Sequence, residues 1–282
     1  MTVFTYSPPR DCVNSLGIPV DNLSLKEAVD RIVDMALARD GKARLVSTLN
    51  VDFLVNSLGC MFYRPRHPEL LKVLRDSDMV TADGFPILWL SRIAGKRLQQ
   101  RVTGSDMVPA LARRAANEGL SLFLLGGGEG VAAAAADTLR DANPGLRIAG
   151  TASPFIHTAG PAMANFAAAD EELLREINGS GAHILLVGLG NPKQELWFNR
   201  NRHKLKIPVA IGVGGTFEFI TGTITRAPQR VQNMNLEWLF RITQDPARLW
   251  RRYAKGLFKL GMLTAPLAYY RAREALFYPG LG

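Results

Sequence analysis

Apolar residues follow a helical period in two parts of this 282-residue chain. After Ser24 they recur three and four positions apart, which places them on one face of a helix. Ser24 and Glu27 have the spacing of a capping box, and the pattern predicts a helix that ends near Gly41. Asp245 before Pro246 predicts a second helix start, because an acidic cap and proline at the first helical position favour initiation.

Short apolar runs that break into glycine form a different pattern from residue 120 onward. These runs are Leu122–Leu125, Ile184–Val187 and Val209–Val213, and two earlier strands are predicted at Arg44–Thr48 and Met79–Thr81. Helices are predicted to begin near Gly130 and Pro192, and another to run from about Pro161 to Ile177. Alternating strands, glycine turns and helices indicate an α/β fold with a Rossmann-like parallel sheet and helices on both faces.

A boundary between two parts of the chain is predicted near Gly222. Residues 1–222 would form the Rossmann-like core, and residues 223–282 a basic, amphipathic helical appendage. After Pro246, one helix face carries Leu249, Tyr253, Leu257 and Leu260, and another carries Arg248, Arg251, Lys255 and Lys259. An apolar stripe beside a basic stripe favours a helix that lies at a membrane surface; a solvated basic face is the alternative.

Positive charge is concentrated in the predicted appendage. The formal net charge of the chain is +9. Residues 223–282 contain ten Lys or Arg against three Asp or Glu, so this segment holds +7 of the total. Such asymmetry indicates an anionic partner, which is a phosphate, a nucleic acid or a membrane surface.

The cysteines and the apolar runs indicate the cellular compartment in which the protein is expected. Cys12 and Cys60 form neither a disulfide framework nor a metal-ligand spacing, which favours a reducing compartment. Residues 1–11 lack the apolar core of a signal peptide, and no apolar run approaches the ~20 residues that span a bilayer. We therefore expect a cytoplasmic protein that is not integral to the membrane.

Two glycine-rich turns follow predicted strands, and ligands bind at the carboxyl ends of strands in such sheets. The first contains Gly126, Gly127 and Gly128, whose backbone N–H groups can approach a phosphate at a helix start. The G-x-G-x-x-G spacing of dinucleotide sites fails, because Val131 occupies the third glycine position. The second turn contains Gly188, Gly190, Asn191, Lys193, Gln194 and Glu195. We expect both turns to line a pocket, although tight strand-to-helix packing and helix capping also explain part of the pattern.

Further polar residues stand at the ends of the two earlier strands. Asp83 follows the strand at Met79–Thr81 and is a candidate general base, with an ordinary turn residue as the alternative. Thr48 and Asn50 have period-two spacing and are expected to point into the same cleft. Arg101 is a candidate clamp for a phosphate or carboxylate.

No metal or organic cofactor is predicted. Asp76-Ser77-Asp78 spells the D-x-D of metal-dependent sugar transferases, but it precedes a strand, where a helix-to-strand turn needs polar residues. The four histidines are scattered without ligand spacing. Walker and G-x-S-x-G motifs are absent from the sequence.

Taken in order, these segments resemble the WecG/TagA/CpsF glycosyltransferase family over about residues 15–255. The P-K-Q-E and E-W-L-x-R runs are its most specific features. The matching runs are Thr48-Leu49-Asn50, Ala82-Asp83-Gly84, Arg101 to Asp106, Gly126 to Gly130, Gly190 to Glu195, Gly212 to Phe217, Arg226-Ala227-Pro228, Leu236 to Arg241, and Asp245 to Tyr253.

The resemblance implies a metal-independent, inverting transfer of glucose, N-acetylmannosamine or its uronic acid. The implied donor is a UDP-sugar, and the implied acceptor is an undecaprenyl-pyrophosphate-linked saccharide at the inner face of the bacterial plasma membrane. Asp83 is then the base, and the other implied catalytic residues are Thr48, Asn50, Arg101, Gln194, Arg241, Arg248 and Arg251. The expected substrate-binding residues are Gly126, Gly127, Gly128, Gly188, Gly190, Asn191, Lys193, Glu195 and Gly214.

The sequence leaves three questions undecided. The loop at residues 56–68 is longer than usual for the family, which leaves the acceptor contacts there uncertain. An NAD-dependent oxidoreductase shares the sheet and glycine turns, and a nucleic-acid-binding module would explain the basic tail but not the polar strand ends. No nucleic acid is expected as a partner, and whether the chain forms a homo-oligomer is undecided.

Overall fold

The protein is described from a computed structural model that covers residues 10–38, 40–59, 65–156, 167–234 and 236–277. Within these ranges, the side chains of residues 167–169, 233, 248 and 266–277 are outside the description. The predicted helix start near Pro161, the middle of the 56–68 loop and the side chain of Arg248 therefore lie outside the described residues.

A parallel sheet forms the centre of the described chain, with the strand order β4-β3-β8-β7-β5-β6. Its strands are β3 (Arg44–Leu49), β4 (Met79–Ala82), β5 (Ser121–Gly126), β6 (Arg147–Ala152), β7 (Ile184–Gly188) and β8 (Val209–Gly212). The five strands predicted from apolar runs are confirmed. The edge strand β6 was not predicted, because all its residues except Ile148 are small or polar and none is fully buried.

An antiparallel hairpin of β1 (Cys12–Ser15) and β2 (Ile18–Asp21) precedes the sheet and was also not predicted. The helices of the core are α1 (Leu25–Leu37), α2 (Val51–Ser57), α3 (Pro68–Arg75), α4 (Phe85–Ile93), α5 (Gly104–Glu118), α6 (Val131–Ala142), α7 (Ala167–Gly179), α8 (Lys193–Asn201) and α9 (Thr216–Ile220). Beyond Gly222 follow α10 (Gln229–Asn233), α11 (Glu237–Gln244) and α12 (Pro246–Phe277). The boundary predicted at Gly222 stays a prediction.

Helices cover both faces of the sheet, as predicted. Leu122 and Leu124 of β5 belong to one apolar cluster with α1, α5 and α6. Phe123 and Leu125 of the same strand belong to a second cluster with α7 and α8. Successive side chains of the strand therefore pack into opposite helical layers. This is the period-two alternation of a strand that is covered on both faces.

A third apolar cluster joins the hairpin, α2, α3 and α4 beside the β4 edge of the sheet. It includes Leu260 of α12, which attaches the C-terminal helix to the core. A Cβ added to Gly256, one turn earlier, would lie 3.7 Å from Cγ1 of Val51 in α2. The α12 helix thus packs against α2 through Gly256 and Leu260.

The helix boundaries follow their sequence signals with two exceptions. The capping box of Ser24 and Glu27 is formed, but α1 ends at Leu37, short of the predicted Gly41. The helix predicted near Pro192 begins at Lys193, yet Asn191 does not cap it, because its amide oxygen accepts from Asn56 instead. The predicted start at Pro246 is confirmed, and of the residues predicted for the apolar stripe of α12, Leu257 is exposed whereas Leu260 is buried.

The order of the strands creates a crevice between β5 and β7. From β5 the chain passes through α6 to β6 on one side, whereas from β7 it passes through α8 to β8 on the other. The two helices lie on opposite faces of the sheet. A reversal of this kind leaves an open crevice at the carboxyl ends of the two strands, which is where open α/β sheets bind ligands.

Among the described helices, none combines the length and the apolar composition that crossing a membrane would require.

Asp21 connects the hairpin to the sheet through a buried carboxylate. It accepts hydrogen bonds from Arg10 at 2.7 and 3.0 Å, from Arg31 at 2.8 Å and from the backbone N–H of Val80 at 2.8 Å. The carboxylate is inaccessible to solvent. One side chain therefore satisfies two cations and one strand N–H at the β4 edge.

We predict that Asp21→Ala lowers the free energy of unfolding by about 3 kcal/mol, because it leaves two partly buried guanidinium groups and a buried backbone donor unpaired. Urea unfolding followed by circular dichroism measures the change. Asp30→Ala, which removes an exposed i, i+4 pair with Lys26, should cost about 0.5 kcal/mol or less. Equal effects of the two substitutions would contradict this role of Asp21.

Candidate functional site

A pocket of about 320 Å³ occupies the crevice between β5 and β7. Its walls are the turns after β5, β7 and β8 together with the segment after β6. The lining residues are Gly127, Pro154, Phe155, Ile156, Gly188, Leu189, Gly190, Lys193, Gly214, Gly215 and Glu218. Five of the predicted substrate-binding residues therefore line it, namely Gly127, Gly188, Gly190, Lys193 and Gly214.

Glycine is required at two positions by close backbone approach. Gly126 has a φ of +110°, and a Cβ there would lie 2.6 Å from the backbone carbon and oxygen of Gly188. A Cβ on Gly188 would lie 2.8 Å from the ring of Phe217. Gly126 is buried below the pocket, and Gly128 is exposed outside its lining. These two predicted residues shape the turn rather than the pocket wall.

The polar side chains of the pocket are Lys193 and Glu218. The Lys193 ammonium lies 5.1 Å from the centre of the Phe155 ring. The Oε2 atom of Glu218 is buried and makes no hydrogen bond within the described part of the chain. Neither Phe155 nor Glu218 was predicted. An acid just after the Gly214-Gly215 turn was the available signal for Glu218, whereas Phe155 follows the strand that the pattern missed.

Asp83 and Asn50 stand side by side at the carboxyl ends of β4 and β3. Their strands pair in register, with Leu49 opposite Ala82. Asn50 caps α2 by accepting the N–H of Phe53, and its side chain also hydrogen-bonds to Asp83. Thr48 is buried instead, and its hydroxyl donates to the backbone oxygen of Gly212 at 2.9 Å. Thr48 therefore ties β3 to β8 below the cleft.

The carboxyl group of Asp83 is densely surrounded by protein, although part of the residue stays accessible from the cleft. Burial raises its pKa to about 6, because desolvation disfavours the charged form. The positive charges of Arg241 and Arg101 and the hydrogen bond from Asn50 oppose this rise, while Glu237 adds to it. A carboxylate with this pKa is ionised at neutral pH and can accept a proton.

Arg101 belongs to a ring of alternating charges that joins the core to the C-terminal segment. It pairs with Glu237 of α11 at 2.9 Å and lies 3.7 Å from Asp106 of α5. Arg226 closes the ring by pairing with Asp106 and lying 3.7 Å from Glu237. All four side chains are at least partly buried. The ring therefore fixes α11 over the end of the cleft that contains Asp83.

Arg241, one of the three predicted arginines of the appendage, reaches the cleft. Its guanidinium lies 4.5 Å from the centre of the Phe219 ring, and its charge acts on Asp83. Phe219 follows Glu218 of the pocket in the sequence, so Arg241 contacts a neighbour of the pocket lining and also acts on Asp83. Arg251 is exposed on α12, and the side chain of Arg248 lies outside the described residues.

Gln194 and Glu195 lie beneath the cleft and contact each other. The Gln194 amide donates to Oε1 of Glu195 at 2.9 Å and accepts from the N–H of Gly214 at 3.1 Å. Both side chains are buried against Gly212, where an added Cβ would lie 2.4 Å from Nε2 of Gln194. Gln194 therefore holds the turn after β8, which forms one wall of the pocket.

Glu195 is a buried acid in its neutral form at pH 7. Burial raises its pKa to about 8, although the hydrogen bond from Gln194 opposes the rise. Its Oε2 atom makes no hydrogen bond to any described residue. We interpret Glu195 as a support for Gln194 rather than as a group that touches a ligand.

Asp76 and Asp78 lie away from the cleft. Asp78 directly precedes β4, so the pair stands at the amino edge of the sheet, opposite Asp83. Asp76 pairs with Lys72, while Asp78 accepts the N–H of Leu45 and pairs with Arg202. No group of three potential metal-binding His, Cys, Asp or Glu side chains occurs in the described ranges.

The described ends of the 56–68 loop have structural roles. Leu58 forms an isolated bridge with Pro65, and Nδ1 of His67 accepts the N–H of Leu70 to cap α3. The ring of His67 thus has a structural role as the cap of α3.

The pocket and Asp83 are separated by a few strand widths along one sheet edge. Asp83 follows β4, and β7 is the third strand from it in the order β4-β3-β8-β7. At about 4.8 Å per strand, this separation is about 14 Å. The cleft therefore offers a pocket at one end, a carboxylate at the other and two arginines near the carboxylate.

We predict that Glu195→Gln removes a pH dependence of stability. In the wild type, the folded state keeps a proton up to about pH 8 that the unfolded chain releases near its ordinary pKa of 4.5. The free energy of unfolding should therefore fall by up to about 1.4 kcal/mol per pH unit as the pH rises from 5 to 8. Urea titrations at several pH values compare the two proteins. Parallel curves for wild type and variant would contradict the prediction.

Comparison with known proteins agrees with this architecture. A sequence model of the glycosyl transferase WecG/TagA/CpsF family matches residues 13–273. An N-acetylglucosaminyldiphosphoundecaprenol N-acetyl-beta-D-mannosaminyltransferase of Bacillus spizizenii is 30% identical over 219 residues, which cover 78% of this chain and 79% of the relative. A protein of the same name from Bacillus subtilis is 26% identical over 237 residues, with 84% of each chain covered.

The family match extends over the sheet, the pocket turns and the C-terminal helices, and so includes every part of the cleft described above. The chain belongs to the WecG/TagA/CpsF family of glycosyl transferases.

Proposed function

We propose that this protein transfers a sugar from a UDP-sugar to a polyprenyl-diphosphate-linked saccharide, with inversion and without a metal ion, in the synthesis of a surface polysaccharide or teichoic acid. The observation that carries the proposal is the placement of a glycine-lined pocket and a partly buried carboxylate on one edge of the sheet. The names of the two relatives support the class of acceptor, because both contain an undecaprenyl-diphosphate-linked N-acetylglucosamine.

The pocket is suited to the nucleotide half of the donor. Its glycine turns expose backbone N–H groups, which bind phosphates well at strand-to-helix turns. The unpartnered Oε2 of Glu218 is a hydrogen-bond acceptor that the hydroxyls of a ribose can satisfy. The exposed ring of Phe155 offers a surface on which a base can stack. The remaining 14 Å or so of the cleft is then available to the diphosphate and the donor sugar.

Asp83 acts as the base in the proposed reaction. It takes the proton from a hydroxyl group of the acceptor sugar, and that oxygen forms a bond to the anomeric carbon of the donor. The bond from the anomeric carbon to the diphosphate oxygen breaks at the same time, and UDP leaves with the electron pair. Attack from the face opposite to the leaving group inverts the configuration.

The departing diphosphate is stabilised by arginines. Arg101 and Arg241 are the two cations whose charges act on Asp83, so they border the reacting atoms. Arginine binds phosphate oxygens through two parallel N–H donors. Fixed positive charge in a partly buried site stabilises negative charge as it develops. Asn50 holds Asp83 in place, and Thr48, Gln194 and Glu195 keep the surrounding strands and turns together.

The C-terminal segment is proposed to bring the protein to the cytoplasmic face of the membrane. Its α12 helix exposes Trp250, Leu257, Phe258 and Met262 beside the exposed cations Arg251 and Lys255. An exposed apolar and basic helix of this kind binds an anionic lipid surface. Family membership favours this reading over the nucleic-acid-binding module and the NAD-dependent oxidoreductase.

The proposal is tested by incubating the protein with UDP-glucose, UDP-N-acetylmannosamine and UDP-N-acetylmannosaminuronic acid. The acceptor is a polyprenyl-diphosphate-linked N-acetylglucosamine in lipid vesicles, and the product is identified by mass spectrometry. We expect transfer from one of these donors in the presence of EDTA. UDP should raise the melting temperature, whereas NADH should not. A rise with NADH alone, and no transfer from any donor, would overturn the proposal.

We predict that Asp83→Asn lowers kcat at least about a hundredfold while UDP binding stays intact, because the amide cannot accept the proton. In the wild type, kcat/KM should fall about tenfold per pH unit below pH 6, since the protonated carboxyl is inactive, and should level off above it. Steady-state assays from pH 5 to 8 test both points. Asp76→Asn, at the opposite edge of the sheet, should retain activity within about twofold of the wild type. Near-normal turnover by Asp83→Asn would refute the assignment.

A further inference from the structure

Exposed apolar side chains are unevenly distributed over the molecule. Nine of the eleven large ones in the described ranges lie on α4 or between residues 234 and 262. The eleven are Leu37, Phe85, Trp89, Phe155, Met234, Trp238, Leu239, Trp250, Leu257, Phe258 and Met262. The C-terminal segment accounts for seven of them, and Phe85 and Trp89 are the two on α4. The core helix α4 therefore exposes large apolar side chains, as the C-terminal segment does.

The α4 helix begins next to the proposed base. Gly84 is its N-cap, with a φ of +114° that suits glycine, and Phe85 is its first residue. Only Gly84 lies between Asp83 and Phe85 in the chain, so their Cα atoms are at most about 7 Å apart. Any molecule that presents a hydroxyl group to Asp83 therefore comes close to Phe85.

Phe85 and Trp89 lie on the same side of α4. They are four residues apart, which places them one turn from each other, and they are 37% and 41% exposed. Arg92, three residues further, is exposed on the same side. The opposite side, with Ile87 and Leu90, is buried in the cluster that also contains Leu260 of α12. The stripe from Phe85 to Arg92 is therefore an open face about 10 Å long, bounded by the base at one end and a cation at the other.

The α4 helix also contacts α12. On α12, Leu257 and Phe258 are exposed beside Leu260, which is packed in the core. The helix that bears this open face thus packs against the segment that we propose to meet the membrane. One helix therefore connects the neighbourhood of Asp83 with that segment.

We propose that the face formed by Phe85 and Trp89 binds the polyprenyl chain of the acceptor, next to its diphosphate. This inference rests on the proposed function, because it takes the acceptor to be lipid-linked. An acceptor with its sugar at Asp83 must extend its diphosphate and chain away from the base. Aromatic rings provide apolar area with little loss of side-chain freedom, and Arg92 can pair with a phosphate oxygen. The core helix α4, and not the appendage alone, then selects a lipid-linked acceptor.

The test compares two acceptors that share the same N-acetylglucosamine-diphosphate head. One has an undecaprenyl chain, and the other has a short, water-soluble chain. With the double variant Phe85→Ala/Trp89→Ala, kcat/KM for the long-chain acceptor should fall about tenfold or more, because apolar contact area is lost. The value for the short-chain acceptor should stay within about twofold of the wild type.

Two further variants separate chain binding from other roles. Phe85→Leu/Trp89→Leu keeps apolar area without aromatic rings, and it should restore most of the preference for the long chain. Leu37→Ala removes an equally exposed apolar side chain at the far end of α1, and it should change neither value. Cosedimentation of the Ala double variant with vesicles of anionic lipid should match the wild type.

Each other outcome overturns the proposal in a different way. Equal losses on both acceptors would mean that α4 binds the acceptor head or supports the fold, and a lowered melting temperature would identify the second cause. Loss of vesicle cosedimentation would mean that α4 binds the membrane rather than the acceptor chain. Unchanged values on both acceptors would mean that α4 does not touch the chain. If the wild type transfers sugar to neither acceptor, the proposed function itself fails.

Discussion

The reversal of the chain between β5 and β7 is the constraint on which the site depends. Because α6 and α8 leave these strands toward opposite faces, neither of these two helices covers the crevice at their carboxyl ends. The turns beside this crevice must approach each other closely, and Gly126 and Gly188 allow that approach. The phosphate-bearing ligand that we propose for the pocket is thus supported by the topology as well as by the lining residues.

At the opposite end of the cleft, burial and neighbouring charges determine the pKa of Asp83. Asp83 loses solvation through burial, and two arginines return part of the stability of its charged form. Those arginines come from different parts of the chain: Arg101 precedes α5, and Arg241 lies on α11. The ring of Arg101, Glu237, Arg226 and Asp106 fixes the position of α11. The core alone would leave Asp83 in a different electrostatic environment.

Much of the sheet and part of the cleft could be predicted from the sequence, because apolar runs that end in glycine are strong signals for buried parallel strands. The edge strand β6 could not, since all its residues except Ile148 are small or polar and none is fully buried. That omission also hid Phe155. The burial of Gln194 beneath Gly212 was not predictable either, because contacts between α8 and β8 depend on packing across 18 residues of sequence. Sequence spacing indicated which residues share an edge, but not which of them face a ligand.

The contact of α12 with α2 has a consequence for the geometry of the C-terminal segment. Gly256, Leu260 and Thr264 recur every four residues on the buried side of this helix, whereas Phe258 and Met262 point outward. Each residue advances a helix by about 100° around its axis. Inserting a single residue between Pro246 and Gly256 would rotate the outward side chains by that angle relative to the start of the helix. The number of residues in this stretch therefore sets the direction in which the surface that we propose to face the lipid points, independently of which residues occupy it.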